Sequence, residues 1–428
     1  MKKKTSMRDH KQPSETKIEQ RKKKTTHGKN YKYFILGLGC LSSMIVMAIP
    51  NTSLSILMPD IREELNLTIA QVGFIWGIGS FPAMISGLFA GALGDRLGLK
   101  RIAIIACFMI GIARVLQGLA PSYTGLIFSI VLAGFAGPFL MNNMIKVIAL
   151  WFTEDERSMS TGIFSVGMAI GFLVGSMLSR TVLAPWLGSW RYVFVLFGAL
   201  SFLLILPWSF SQTQPPRKTD STPDETSDTK SIFTGLLHVI KIPEMWLIGF
   251  SGLFISGSIY ALLGYLPLHL EALEWEATIA DSAVALIYLV GMIAVLPISF
   301  WAEKAGKQKL FMIILACMTI AGFALLSFAR GSLVWFGIIL IGLVRDAYMS
   351  ISTAVMLKSK GLNFDHLGSA SSFRMILTLF GFLLAPMIGN KLAESSTSAP
   401  FVFWVVFACV GVVFLFFIPT NRSESETS

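Results

Sequence analysis

The chain contains few charged residues for its length. Only 14% of its 428 residues are Asp, Glu, Lys or Arg, whereas a soluble globular protein carries about 25%. Hydrophobic residues make up 54% of the sequence, and the mean hydropathy is +0.67. So little polar surface cannot cover a set of soluble domains. The composition therefore excludes an ordinary water-soluble protein and indicates an integral membrane protein.

Cysteine is scarce, and the residue spacings that hold metals are absent. The sequence has no Cys-x2-Cys and no His-x3-His spacing. A free cysteine behaves as a small hydrophobic residue, so we expect no disulfide, metal or cofactor, and we expect four cysteines to pack inside the spans: Cys40, Cys107, Cys317 and Cys409. No span carries a nucleophile–base pair or a phosphate-binding loop. We therefore expect no enzymatic activity.

Positive charge is concentrated at the N-terminus. Residues 1–32 hold twelve basic and three acidic residues, a net of +9 out of a total of +10. A basic chain often binds nucleic acid, but this charge belongs to a tail and not to a folded face, so we expect no nucleic-acid partner. The tail lacks the apolar core of a signal peptide. We expect an uncleaved tail that contacts anionic lipids.

Twelve apolar stretches are long enough to cross a bilayer. A transmembrane helix needs about 20 apolar residues, and these continuous runs lack the alternation of a membrane β-barrel. We predict an all-α membrane protein with twelve spans at residues 34–58, 69–92, 101–119, 123–151, 159–182, 190–210, 244–268, 278–301, 309–329, 332–357, 368–390 and 399–419.

The basic residues outside the spans lie mostly on one side. The side that holds both termini has 26 Lys and Arg, and the other side has 5. Because cytoplasmic loops are enriched in basic residues, both termini are predicted to be cytoplasmic. A Ser-, Thr- and Pro-rich stretch after span six is predicted to be a solvated linker. The predicted units are a tail (1–32), a six-helix bundle (33–210), a linker (211–242), a second bundle (243–419) and a tail (420–428).

A motif occurs once in each half. The loop after span two reads GALGDRLGLKR (91–101), and the loop after span eight reads SFWAEKAGKQK (299–309). The acid, the base after it, the glycine and the last base recur at an offset of 208 residues. Gly98 and Gly306 suit a tight turn with positive φ. The repeat predicts two halves of the same topology, related by an axis along the membrane normal.

The first copy resembles the signature between helices two and three of the major facilitator superfamily. Residues 151–157 resemble the passage from helix four to five, and residues 188–194 resemble the start of helix six. The resemblance covers residues 33–419. It implies twelve helices in two pseudo-symmetric bundles, transport by alternating access, and a central cavity lined by spans four and ten.

Two departures from the superfamily's drug–proton antiporters concern the substrate. Many of these antiporters carry a proline in the glycine motif of helix five, where this chain has Phe172. They also often carry an arginine early in helix four, where this chain has Ser129. Proton–drug antiport is therefore the less favoured mode.

The resemblance also implies a conformational latch. In the superfamily the acid of the loop after helix two contacts the start of helix eleven. Asp95 would therefore contact Gly368–Ser369 or Arg374 when the cavity faces outward. The remaining latch residues belong to the two copies of the motif: Gly91, Arg96, Gly98, Lys100, Arg101 and Glu303.

Two charged residues stand at the middle of span ten. A charge at the bilayer centre costs about 2.5–3.5 kcal/mol on insertion scales, so Arg345 and Asp346 should each face a partner or a cavity. Neighbouring residues lie about 100° apart around a helix, so we expect them not to form a simple pair. Neighbouring helices can satisfy both in a structural network. In the functional alternative, Arg345 binds an anionic substrate and Asp346 carries the coupling proton or tunes the arginine.

Other polar residues inside the spans complete the candidate site. Asn142 and Lys146 share a face of span four, although Lys146 can instead snorkel to the cytoplasmic surface. Arg114 is expected to snorkel from span three. Three further candidate substrate contacts are Asn51, Tyr260 and Tyr265.

These observations predict a secondary active transporter in the cell membrane. Its substrate would be a small organic anion such as a carboxylate, moved by alternating access in proton-coupled symport. The expected partners are this substrate, a coupling proton and the lipid bilayer, and the expected state is a monomer. Two alternatives are a drug or metabolite exporter that works by proton antiport and a non-transporting membrane sensor.

Overall fold

The computed structural model describes residues 31–212, 229–359, 361–362 and 366–419. Predictions for residues 1–30, 213–228 and 420–428 therefore fall outside the described residues. Within the described ranges, the regular secondary structure is entirely helical, which confirms the all-α prediction.

Twelve long helices form the body of the protein in the described ranges. Eleven are long and apolar enough to cross a membrane, and α3 spans 20 residues but carries three basic residues. The helices are α1 (Tyr31–Ile56), α2 (Ile69–Leu97), α3 (Leu99–Gly118), α4 (Tyr123–Trp151), α5 (Asp155–Leu187), α6 (Trp190–Phe210), α7 (Pro243–Ala272), α8 (Ala277–Lys304), α9 (Gln308–Phe328), α10 (Leu333–Leu357), α11 (Leu367–Leu392) and α12 (Ala399–Phe417).

The turns between helices fall at the glycines and at the break that the sequence indicated. Gly98 and Gly306 have φ of 86° and 64°, a region that glycine enters without a steric cost. The break between α3 and α4 falls at residues 119–122, and the Ser122 side chain there accepts a hydrogen bond from the Gly125 N–H at 3.4 Å. We call the membrane face that carries the Gly98 turn the motif face, and the other the opposite face.

The two halves share an apolar core at the opposite face. One buried cluster, which includes Ile35 and Trp208, belongs to the N-terminal half near the motif face. A larger cluster joins the C-terminal half to the opposite-face ends of the N-terminal half, including Ile61 and Trp76. The halves are therefore packed together on the side away from the motif.

Small residues bring α2 and α11 close together at the seam between the halves. A Cβ atom added to Gly73 would lie 2.4 Å from the Pro386 carbonyl oxygen, and one added to Gly77 would lie 2.7 Å from the Leu383 carbonyl oxygen. Glycine allows this backbone contact because it has no side chain. The seam is thus closed at the opposite face.

A helix in the linker was not part of the sequence prediction. Thr229–Ile240 is helical and packs on α11. A Cβ atom added to Gly235 would lie 2.4 Å from the Ser369 Oγ, and the rings of His238 and His366 are 4.5 Å apart. The last third of the stretch expected to be a solvated linker is therefore docked on the C-terminal half.

One expectation about a single residue was wrong, and the expectation for the cysteines was confirmed in part. Arg114 does not snorkel: it is 6% exposed and donates a hydrogen bond to the Gln117 Oε1 at 2.8 Å. All four cysteines are free and lie inside spans, but only Cys107 is buried, while Cys40 is half-buried and Cys317 and Cys409 are exposed. For Arg114, the side chain of Gln117 on the same helix is thus the hydrogen-bond partner in place of water.

Candidate functional site

Arg345 and Asp346 form an ion pair in the middle of α10, contrary to our expectation. The Arg345 Nη1 donates to the Asp346 Oδ1 at 2.7 Å and to its Oδ2 at 2.8 Å. The angle around the helix fixes only where the two side chains start. The long arginine side chain bends back and reaches the carboxylate beside it.

Two aromatic rings from different halves hold the Arg345 guanidinium at the seam. Its central carbon lies 4.3 Å from the ring centre of Tyr288 on α8 and 5.5 Å from that of Phe172 on α5. The two rings stack on each other at 5.0 Å. A cation is attracted to the face of an aromatic ring. The arginine is therefore held between the halves, where a change in their relative position alters its surroundings.

A second aromatic stack closes the seam between α2, α7 and α11. Tyr260 stacks on Trp76 at 5.0 Å and on Phe382 at 4.3 Å. The Trp76 Nε1 donates to the Tyr260 carbonyl oxygen at 2.8 Å, and the Tyr260 hydroxyl donates to the Trp76 carbonyl oxygen at 3.2 Å. Tyr260 thus joins the halves in this conformation.

The other two candidate substrate contacts, Tyr265 and Asn51, have surroundings that differ from those of Tyr260. The Tyr265 side chain is 1% exposed, packs against Phe401 and Trp404 of α12, and donates to the Thr397 carbonyl oxygen at 3.0 Å. This contact faces α12, within the C-terminal half. Asn51 is half-buried on α1, in the turn that follows Pro50.

Lys146 binds the motif and not the Arg345 region. Its Nζ lies 2.6 Å from the Asp95 Oδ2 and donates to the Gly91 carbonyl oxygen at 2.8 Å. Asn142 on the same face donates to the Gly87 carbonyl oxygen at 3.4 Å. Both predicted cavity residues of α4 therefore contact α2 in this conformation.

A cluster at the opposite face was missed by the sequence reasoning. Arg180 on α5 donates to the Asp60 Oδ1 at 2.7 Å and to Glu271 of α7. Its Nη1 also lies 3.9 Å from the Asp281 Oδ1 on α8. We call these four residues the gate cluster. Asp281 stands one turn inside an apolar stretch, and that isolated acid was the signal in the sequence.

The gate arginine lies in an unusual helical turn. Residues Ser179–Leu183 form a π-helical segment inside α5. Such segments are uncommon, and many of them occur at functional sites. The extra residue in this turn changes the direction of the side chains that follow it, which is consistent with Arg180 pointing across the seam toward α7 and α8.

The match to a family model decides the class of protein. The Major Facilitator Superfamily model matches residues 40–363, more than half of the chain. This chain belongs to the Major Facilitator Superfamily. Membership confirms the resemblance read from the motif.

Proteins with similar sequences are named as transporters. A probable sulfoacetate transporter of Cupriavidus necator is 24% identical over 249 residues, which cover 56% of this chain and 57% of that protein. The hexuronate transporter of Escherichia coli K12 is 27% identical over 203 residues, which cover 46% of this chain and 45% of that protein. The chain thus spans about half the length of these relatives.

Two solved transporter structures share the fold over nearly the whole chain. A bacterial homolog of the human lysosomal transporter Spinster, in an inward-facing and unoccupied conformation, matches with a TM-score of 0.75 at 17% identity, covering 91% of this chain and 97% of that one. A mutant of the nucleoside transporter NupG matches with a TM-score of 0.74 at 15% identity, covering 90% and 98%. At this identity the likeness concerns the fold alone.

The latch inferred from the superfamily involves Asp95 and Arg374, and both of these side chains have contacts with other residues in this structure. Asp95 binds Lys146, while the Arg374 Nη2 donates to the Thr353 Oγ1 at 3.2 Å and its Nη1 lies 3.8 Å from the Met349 Sδ. Of the remaining latch residues, Arg96, Arg101 and Glu303 are exposed, and Gly91, Gly98 and Lys100 are half-buried. The latch was expected when the cavity faces outward, and in this structure the seam is closed at the opposite face.

Arg374 lies on the same side of α10 as the central arginine. Its contacts Met349 and Thr353 follow Arg345 by four and eight residues, so all three share one face of the helix. Among the described residues, the Arg374 Nε has no hydrogen-bond partner. Two guanidinium groups therefore line one side of the C-terminal half.

Proposed function

We propose that this protein is a secondary active transporter of small organic anions in the cell membrane, working as a monomer by alternating access. The observation that carries the proposal is Arg345, a cation near mid-membrane that lies between aromatic rings from both halves. Charged residues at such depth generally face a cavity or mark a substrate path. The relatives named for sulfoacetate and hexuronate, both organic acids, support the same substrate class.

The motif face is the cytoplasmic face in this proposal. The predicted loops on that side, together with the tails, carry 26 of the basic residues, which favours a cytoplasmic location. The closed seam then lies at the extracellular face.

The pair of Arg345 and Asp346 offers a way to couple the anion to a proton. With Asp346 ionised, the carboxylate occupies the guanidinium, and a substrate carboxylate has to compete with it. A proton on Asp346 removes this competition. Anion and proton then bind more tightly together than separately, which is a positive coupling free energy between two ligands. We propose symport on this basis.

Replacing the central arginine tests the site. In Arg345→Gln, the binding of an organic acid loses a charge-assisted bidentate contact, and we expect the affinity to fall by at least about tenfold. The measurement is ligand-dependent thermal stabilisation of the purified protein with glucuronate, galactonate and sulfoacetate. Arg330→Gln, at an exposed loop position, is the matched control. Equal stabilisation of wild type and Arg345→Gln by the same acid contradicts the assignment.

A further inference from the structure

The gate cluster contains one carboxylate that its arginine does not reach. Asp281 is 2% exposed, and neither of its oxygens has a hydrogen-bond partner among the described residues. Its nearest basic atom, the Arg180 Nη1, is 3.9 Å away, beyond hydrogen-bond distance. A buried ionised carboxylate without hydrogen bonds is costly. The closed gate therefore disfavours the charged form of Asp281.

The charges around Asp281 also disfavour its ionised form. Arg180 is already bound by Asp60 and Glu271, so three ionised carboxylates would leave the cluster with a net charge of −2. A proton on Asp281 removes the carboxylate that has no partner. Like charges held close together favour protonation of one member.

Other ionisable groups on the neighbouring helices face elsewhere. On α10, Arg345 and Asp346 bind each other, and Asp346 lies against Gly291, which is ten residues farther along α8. On α7, the His269 ring packs on Phe401 of α12. Arg180 of α5 and the carboxylates of Asp60 and Glu271 thus form the charged cluster around Asp281, and Glu63 and Glu64 line the same cavity.

A cleft gives this buried group a route to water. A cavity of about 730 Å³ at the opposite face reaches Asp281 and is lined also by Arg180, Asp60, Glu63 and Glu64. The cleft lies between the N-terminal half and the start of α8. Protons can therefore enter from the side proposed to be extracellular.

We propose that Asp281 is a proton-binding site that controls the extracellular gate: it holds a proton while the gate is closed and releases it to extracellular water when the gate opens. This inference rests on the proposed function, because it assigns the opposite face to the outside. The closed gate binds the proton more tightly than the open gate, in which water reaches the carboxylate. By linkage, external protons favour closure by the same factor. The anion is then enclosed and passed to the inside more often at acidic external pH.

The test measures how the distance across the gate changes with pH. Spin labels are placed on cysteines introduced at the exposed positions Asn66 and Ser396, one in each half, in a background without the four native cysteines. In wild type we expect the open-to-closed ratio to rise at least about tenfold from about pH 5.5 to about pH 8.5. In Asp281→Asn, which resembles the protonated form, the gate stays closed across this range.

Two further variants keep the result interpretable. Glu63→Gln removes an exposed acid of the same cleft and should keep the wild-type response. Asp281→Glu retains a titratable group and should retain a pH response even if its midpoint moves. A wild-type gate whose width does not change with pH, or an Asp281→Asn gate whose width still changes with pH, overturns the inference.

Counterflow of an organic acid by wild type at equal pH on both sides tests the proposed function separately, since it needs no proton gradient.

Discussion

At the scale of single residues, three basic side chains of the helices have different partners, and each partner suggests a role. Arg345 has Asp346 and two aromatic rings, Lys146 has the motif carboxylate, and Arg180 has carboxylates from both halves. An unpaired charge in this setting is costly. We therefore interpret Arg345 as the substrate-binding cation and Arg180 as the centre of the gate.

The ion pair of Lys146 and Asp95 gives a prediction for the motif. Both side chains are about one-third or more exposed, at 33% and 41%, so the pair contributes at most about 1 kcal/mol to stability. We expect Lys146→Met and Asp95→Asn to lower the melting temperature by similar small amounts. The double variant should lose less than the sum of the two. Thermal unfolding of the purified proteins checks this.

The same variants decide between two roles of the lysine. If Lys146 serves the motif, the affinity of Lys146→Met for an organic acid stays within about twofold of wild type, a difference of about 0.4 kcal/mol. A larger loss of affinity, with additive effects of the two variants on stability, would instead show that Lys146 belongs to the substrate site, as the sequence suggested.

The side-chain contacts were the part that the sequence could not supply. Spacing along a helix gives the direction in which a side chain leaves the backbone, but Arg345 has a long side chain that bends back to its neighbour. Arg180 binds residues 60 and 271, and residue 281 lies 3.9 Å from it. Such pairings depend on how the halves pack, which no local pattern contains.

At the scale of helices, hydropathy located the spans well. The predicted bounds of α4 (123–151) and α6 (190–210) agree with the structure, and the other helices differ by a few residues at their ends. Apolar runs of this length have few alternatives in a bilayer. The linker helix, Thr229–Ile240, was missed because its polar flanks and charged surroundings resemble a solvated segment.

The close contact of α2 with α11 gives a prediction about conformation. In Gly73→Ala, the added Cβ would lie 2.4 Å from the Pro386 carbonyl oxygen, so the closed seam should lose about 1–3 kcal/mol from overpacking. We expect the gate labels at Asn66 and Ser396 to report a more open population. Gly87→Ala on the same helix is the control, because its Cβ meets no atom within 4 Å. An unchanged distance in Gly73→Ala would show that this contact does not hold the seam closed.

At the scale of the whole molecule, two repeated halves meet along one seam. The motif in each half turns at a glycine with positive φ, and the halves share their core on the opposite face. Arg345 lies near the middle of this seam and the gate cluster lies at its closed end. In the proposed cycle, the seam opens at one face while it closes at the other, with the arginine exposed to each side in turn.

The central claim is tested most directly by transport in proteoliposomes that contain the purified wild-type protein. Uptake of labelled glucuronate, galactonate and sulfoacetate is measured with an inward proton gradient and without one, with glucose as the neutral control. The account predicts that at least one acid accumulates against its gradient only when the proton gradient is present, and that glucose does not. Uptake of glucose alone, no uptake of any of the acids, or accumulation of an acid that ignores the proton gradient would contradict it.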